Sequence, residues 1–147
     1  MKKYKNILTV LFILILVLTL AACSDGDSRV TWPSDDLWAK YGLSGLSSPG
    51  GTLQLTFTAN DYFVVQWSGS SQAIYDSFKA TLQSMVAAVD PGYTQSENNS
   101  NPDYIVYNLG YTYNAQSCSL ILHYTINDYD GGGGARAAGA MFLEGGY

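Results

Sequence analysis

The hydrophobic patterning of this chain predicts an α+β fold: a small antiparallel sheet of two hairpins, about four strands, with one long amphipathic helix packed on one face and a short N-terminal helix. Three observations predict it. Residues 53–57 and 63–67 alternate apolar with polar side chains, residues 74–89 carry apolar side chains at helical steps, and residues 118–126 return to alternation. Hairpins need no crossover connection and the helix has one apolar stripe to bury, so a helix laid on a sheet is the simplest layered solution.

The short helix is read from Trp32-Pro33-Ser34-Asp35-Asp36-Leu37-Trp38-Ala39-Lys40-Tyr41-Gly42. Ser34 stands as the cap, Asp35 and Asp36 suit the positive first turn, and Gly42 suits a terminator. Leu53, Leu55 and Phe57 then form one apolar face, alternating with Gln54, Thr56 and Thr58. Phe63, Val65 and Trp67 repeat the pattern after Asn60-Asp61, which makes the pair a hairpin. Ser70 or Ser71 caps the long helix, whose stripe is Ile74, Phe78, Leu82, Met85 and Val89. Asp90-Pro91-Gly92 stops it, because proline cannot continue a helix and glycine accepts a left-handed turn.

Thr94 to Pro102 is polar and reads as a loop. Ile105, Val106, Tyr107, Leu109, Tyr111 and Tyr113 make a strand, Asn114 to Ser117 a turn, and Cys118, Leu120, Leu122, Tyr124 and Ile126 the apolar set of the returning strand. From Asp130 the chain runs Asp-Gly-Gly-Gly-Gly-Ala-Arg-Ala-Ala-Gly-Ala, with little bulk to bury, and reads as a mobile tail. Met141-Phe142-Leu143 suits either an added strand or a flexible end.

The N-terminus carries a different kind of information. Lys2, Lys3 and Lys5 precede an apolar run from Ile7, and Ala21-Ala22 supply small residues before Cys23. Leu20-Ala21-Ala22-Cys23 resembles a lipobox, in which the cysteine thiol is diacylated and becomes the mature N-terminus. Ile7 to Ala22 is 16 residues, short of the roughly 20 a spanning helix needs, and no charged stop-transfer flank follows. The organisation expected is therefore a signal peptide over 1–22, a lipidated polar tether over 23–30, one domain over 31–129 and the Gly-rich tail over 130–147. Cys23 is the lipid attachment site, and the protein sits on the extracytoplasmic face of a cell membrane without crossing it.

After the signal, four basic residues remain against twelve acidic ones, a formal net charge of −8. Arg29, Lys40, Lys79 and Arg136 are isolated, so no nucleic-acid partner is expected. With Cys23 lipidated, Cys118 has no cysteine with which to form an internal disulfide.

No catalytic constellation assembles from these residues. His123 is the only histidine and falls on the more polar face of its strand, where it reads as a solvated surface residue. Cys118 alternates with Leu120 and Leu122 and reads as a buried, inert thiol. Asp128-Tyr129-Asp130-Gly131 opens like a calcium loop but lacks the required spacing, and Gly131 to Gly134 lacks the lysine and helix of a phosphate loop. No metal, no cofactor and no enzymatic activity are expected.

Aromatic side chains are the remaining signal: eleven of the twelve tyrosines and all three tryptophans lie beyond the signal. Tyr107, Tyr111 and Tyr113 share one parity on their strand and Tyr104 has the other, so the tyrosines divide between two faces. Cross-strand core packing accounts for such a set, and so does a face that stacks on sugars or peptides. Tyr107, Tyr111 and Tyr113 are the candidate binding residues on the second reading.

Taken together, the lipobox, the tether, Trp32-Pro33 with Leu37, Gly92-Tyr93-Thr94, Tyr104-Ile105-Val106-Tyr107-Asn108 and Leu120-Ile121-Leu122-His123-Tyr124 resemble a domain of unknown function in lipoproteins of Gram-positive anaerobes. The resemblance covers roughly Val30 to Ile126, and the lysine-rich surface and charged helix common in such domains are missing. It implies a small extracytoplasmic α+β module and transfers no site residue. Two functional readings follow. One is a non-catalytic binding or structural module acting through the face or edge of its sheet on a protein partner. The alternative is a carbohydrate or cell-wall binder using exposed tyrosines and tryptophans.

Overall fold

A computed structural model describes residues 30–131 and 134–147. The signal peptide, Cys23 and the tether up to Arg29 lie outside the described residues, as do Gly132 and Gly133. The elements, in order, are α1 (Asp35–Lys40), β1 (Thr52–Thr58), β2 (Tyr62–Ser68), α2 (Gln72–Val89), β3 (Thr94–Asn98), β4 (Tyr104–Tyr113), β5 (Gln116–Thr125), β6 (Tyr129–Gly131), β7 (Gly134–Arg136) and β8 (Met141–Gly146).

The class is α+β, but the sheet is larger than the patterning predicts. Six antiparallel strands run β1-β2-β8-β5-β4-β3, and β6 with β7 forms a separate two-stranded ribbon. The expected four-stranded sheet is corrected at two places. Thr94–Asn98, expected as a loop, pairs with β4 from Thr94↔Gly110 to Asn98↔Val106 as the edge strand β3. Five polar, exposed residues there carry no alternation from which a strand could be read.

The second correction is β8. Residues 130–147 are not a tail, because Met141–Gly146 inserts between the two hairpins and pairs with β2 on one side and β5 on the other. Met141 and Leu143 are fully buried, and Gly145 lies opposite both Phe63 and Leu120. The domain thus extends to the last residues of the chain. This partnership joins positions about eighty residues apart in sequence, as in Tyr62↔Gly146, and local pattern carries no record of it.

One face of the sheet is covered twice. α2 packs over β4 and β5 and buries Tyr75, Phe78, Leu82 and Val86. Ile74, Met85 and Val89 flank this line and are partly buried, so the helix is turned slightly toward Tyr75 and Val86 from its expected stripe. Ser71 caps it, accepting from the Ile74 N–H at 3.3 Å. At the other end Gly92 does not take a left-handed conformation. The Asp90 carboxylate ends the helix instead, accepting from the Gly92 N–H at 2.9 Å and the Thr112 N–H at 2.8 Å.

Beside α2, the segment from Trp32 to Leu46 covers the β1-β2-β8 end. Trp38 and Tyr41 meet the Phe63 ring edge-on at 5.1 and 4.9 Å, and Trp32 lies 5.5 Å from Trp67. Trp67 in turn touches Phe78 of α2 at 5.6 Å, which makes the two covers one core. All three indole N–H groups are satisfied: Trp32 by the Leu46 carbonyl, Trp38 by the Pro33 carbonyl and Trp67 by Ser48 Oγ. α1 ends as predicted at Gly42, with φ of 71° and a Leu43 N–H to Trp38 carbonyl bond of 2.8 Å. Asp35 does more than face a helix terminus: its carboxylate accepts from the Gly45 N–H and the Ser44 hydroxyl, which holds it below the usual carboxylate range.

Candidate functional site

Among the described residues, no helix covers the face of the sheet opposite α2, and the β6–β7 ribbon reaches it through Arg136. Residues directly paired across strands share a face, which defines two adjacent rows on this side. One reads Leu55, Gln66, Phe142, His123, Val106, Asn98 and the other Phe57, Val64, Glu144, Ile121, Asn108, Ser96. Half of these twelve side chains are apolar, where an ordinary solvated sheet face alternates to polar residues.

Leu55 and Phe57 reach this face through a β-bulge. Leu53 pairs with Trp67 and Leu55 with Gln66, the very next residue, so Gln54 is an extra residue in β1. Beyond it the side-chain parity inverts. Leu53 packs against the core, whereas Leu55 and Phe57 emerge on the open side at 45% and 52% exposure. The expectation that Leu53, Leu55 and Phe57 share one apolar face is therefore overturned, since a single inserted residue moves every later side chain across the sheet.

Toward the centre of the face, Arg136 lies 4.3 Å over the Phe142 ring and His123 meets the same ring edge-on at 6.5 Å. His123 is half-buried here and not freely solvated. Burial lowers its pKa and Arg136 adds to that, against an opposing pull from Glu144, so the imidazole is neutral at pH 7. The Tyr62 hydroxyl donates to Glu144 Oε2 at 3.2 Å.

The sequence-predicted tyrosines lie on the other side. Tyr107 and Tyr111 are each 4% exposed, and Tyr113 packs against the core, all under the helix and the N-terminal segment. The Tyr107 hydroxyl donates to Gln95 Oε1 at 2.6 Å and the Tyr111 hydroxyl to the Tyr41 carbonyl at 2.8 Å. Burial raises both phenol pKa values. These rings are core packing, and the structure brings none of the three to an open face. The residues that do form the open face were legible only in part. Ile105-Val106-Tyr107 is apolar on both parities, a sign that neither side of that strand is simply solvated, whereas nothing in Leu53 to Phe57 announces a bulge.

Two further features border this face. A groove of about 760 Å³ runs between the N-terminal segment and the free edge of β1, lined by Val30, Trp32, Leu37, Leu55, Thr56 and Thr58 among others. The Thr56 hydroxyl donates across it to the Thr31 carbonyl at 3.0 Å. At the far edge, Lys79 Nζ contacts Glu97 Oε2 at 2.6 Å and the Tyr75 hydroxyl donates to the same oxygen at 3.1 Å, which ties β3 to α2.

Catalytic groups do not converge. Cys118 is buried in the core, where desolvation raises its thiol pKa. Among the described residues, no group of three or more His, Cys, Asp or Glu side chains is placed to hold a metal ion, and no helix is long and apolar enough to cross a membrane. No family model, curated protein or solved structure matches the chain.

Proposed function

We propose that the chain is a lipid-anchored extracytoplasmic module that binds a protein partner through the open face of its sheet and catalyses no reaction. The observation that carries this reading is the pair of cross-strand rows around Phe142, His123, Ile121 and Val106, a half-buried, largely apolar surface over which, among the described residues, no helix is laid. The anchor is supported by Leu20-Ala21-Ala22-Cys23 and the apolar run before it, and the resemblance to lipoprotein domains agrees with it. The carbohydrate reading loses its rings, because Tyr107 and Tyr111 stack inside the core.

Each half of the proposal has its own experiment. Cells fed labelled palmitate incorporate label into the protein, and Cys23→Ser abolishes both incorporation and membrane fractionation; a labelled Cys23→Ser chain overturns the anchor. Photo-crosslinkers placed at Val106 and Ile121 in intact cells capture one recurrent protein adduct, and the same probe at Ala80, exposed on α2 across the sheet, does not. Equal adducts from all three positions overturn the face as the recognition surface.

A further inference from the structure

The place where the chain enters the domain coincides with its most apolar exposed patch. Among the described residues, Val30, Leu55, Phe57 and Tyr62 are exposed at 40%, 45%, 52% and 41%. Val30 and Leu55 line one groove, and Phe57 and Tyr62 follow on the outer side of the β1–β2 hairpin.

The two edges of the sheet are also unlike each other. β1 reads Thr-Leu-Gln-Leu-Thr-Phe-Thr, with no charge and no proline; the Gln54 bulge and the Thr56 hydroxyl bond to the Thr31 carbonyl interrupt its edge, and its outward side chains Leu55 and Phe57 are apolar. β3, at the opposite edge, is Thr-Gln-Ser-Glu-Asn, exposed throughout and secured by the Lys79–Glu97 pair. One edge presents only polar side chains to water, and the other exposes Leu55 and Phe57.

The tether joins the domain at Val30, beside β1, and so keeps that end of the sheet near the anchor. Seven virtual bonds separate Cys23 from Val30, a reach of at most about 25 Å when fully extended. Six strands spaced about 4.8 Å apart make a sheet about 24 Å wide. A diacylated Cys23 therefore holds β1 continuously within reach of the headgroups, at an effective concentration on the order of millimolar, so even a weak apolar affinity is realised. We infer that the β1 edge, through Val30, Leu55, Phe57 and Tyr62, rests on the bilayer interface, so that the domain stands on β1 and holds β3 farthest from the membrane. This inference rests on the lipid-anchor reading. The contact is apolar rather than electrostatic, because the mature chain carries a net charge of −8 and the groove is lined by one residue of each charge, Asp36 and Lys40. Standing on β1 also leaves Ile121 and Val106, toward the middle and far side of the open face, free for the partner.

The test imposes the anchor chemically, so that it fails separately from cellular lipidation. The chain from Cys23 onward carries every described residue; it is coupled through that thiol to maleimide-lipid in phosphatidylcholine vesicles, while Cys118 is shielded in the core. Hydrogen exchange of the Thr52–Thr58 amides is compared with that of the same chain capped with a small maleimide. The expected result is slowing of about tenfold in β1 with β3 unchanged, independent of coupling density and lost in the Leu55→Ser/Phe57→Ser double variant. Because both side chains are about half exposed, that variant keeps native exchange in β2 and β5. Unchanged β1 exchange on vesicles overturns the inference, and protection that grows with coupling density overturns it in favour of a second copy of the chain.

Discussion

Phe63 of β2 fills the space beside Gly145 of β8: a Cβ built on Gly145 would come within 2.2 Å of the Phe63 ring. Leu120 of β5 closes on the same point from the other side at 2.9 Å. The central strand is thus keyed between the two hairpins by an absent side chain. Gly145→Ala is expected to destabilise the domain by about 1–3 kcal/mol, the usual cost of overpacking a closed core, measured by urea unfolding. An unchanged midpoint would show that β8 is not held in this register.

Asn114 and Ala115 form the two-residue turn between β4 and β5, with φ of 50° and 62°. Both lie in the left-handed region, as the mirror-image hairpin turn requires, and asparagine tolerates it where alanine does not. Ala115→Gly removes that strain and is expected to stabilise by about 0.5 kcal/mol after the extra flexibility of the unfolded chain is subtracted. A loss of stability in thermal unfolding would refute the turn geometry.

Glu97 has a lowered pKa, chiefly through its contact with Lys79; burial opposes this, and the Tyr75 hydroxyl adds a smaller lowering. Since the folded-state value lies below the unfolded one, the stabilisation is present above the ordinary carboxylate range near 4.5 and fades as pH falls through the folded value. Glu97→Gln is expected to cost roughly 0.5 kcal/mol at pH 7 and to flatten the acid side of the stability curve. It should also speed exchange of the Thr94–Asn98 amides selectively, since their tie to the helix is lost. Uniform acceleration across the sheet would argue against a local clamp.

His123 works in a different window. Its folded pKa is lowered, mainly by burial beside Phe142, so the unfolded chain takes up a proton first as pH drops below 6.5. Stability is full above that value and declines as pH falls from 6.5 toward the folded pKa. His123→Gln should therefore reduce the slope of stability against pH just below 6.5, leaving the Glu97 transition in place. An unaltered slope would place the imidazole in solvent.

Local chemistry made much of this molecule legible. The α2 helix follows from its apolar spacing and the Ser71 cap, the β1–β2 and β4–β5 hairpins from alternation and turn residues, and the end of α1 from Gly42. Each of these depends on contacts within a few residues. The division of Tyr104 from Tyr107, Tyr111 and Tyr113 was likewise fixed by strand parity.

What only tertiary structure decided were the relations that parity cannot reach. Gly-Gly at 145–146 looks like a flexible end until Phe63 is seen packed against Gly145, and five polar residues look like a loop until β4 supplies their partners. Which parity faces the helix depends on where α2 and the Trp32–Leu46 segment settle, and that choice sent Tyr107 and Tyr111 inward. The bulge at Gln54 has the same character: one unpaired residue turns Leu55 and Phe57 outward, because alternation sets which side chains share a face only while strand pairing stays in step.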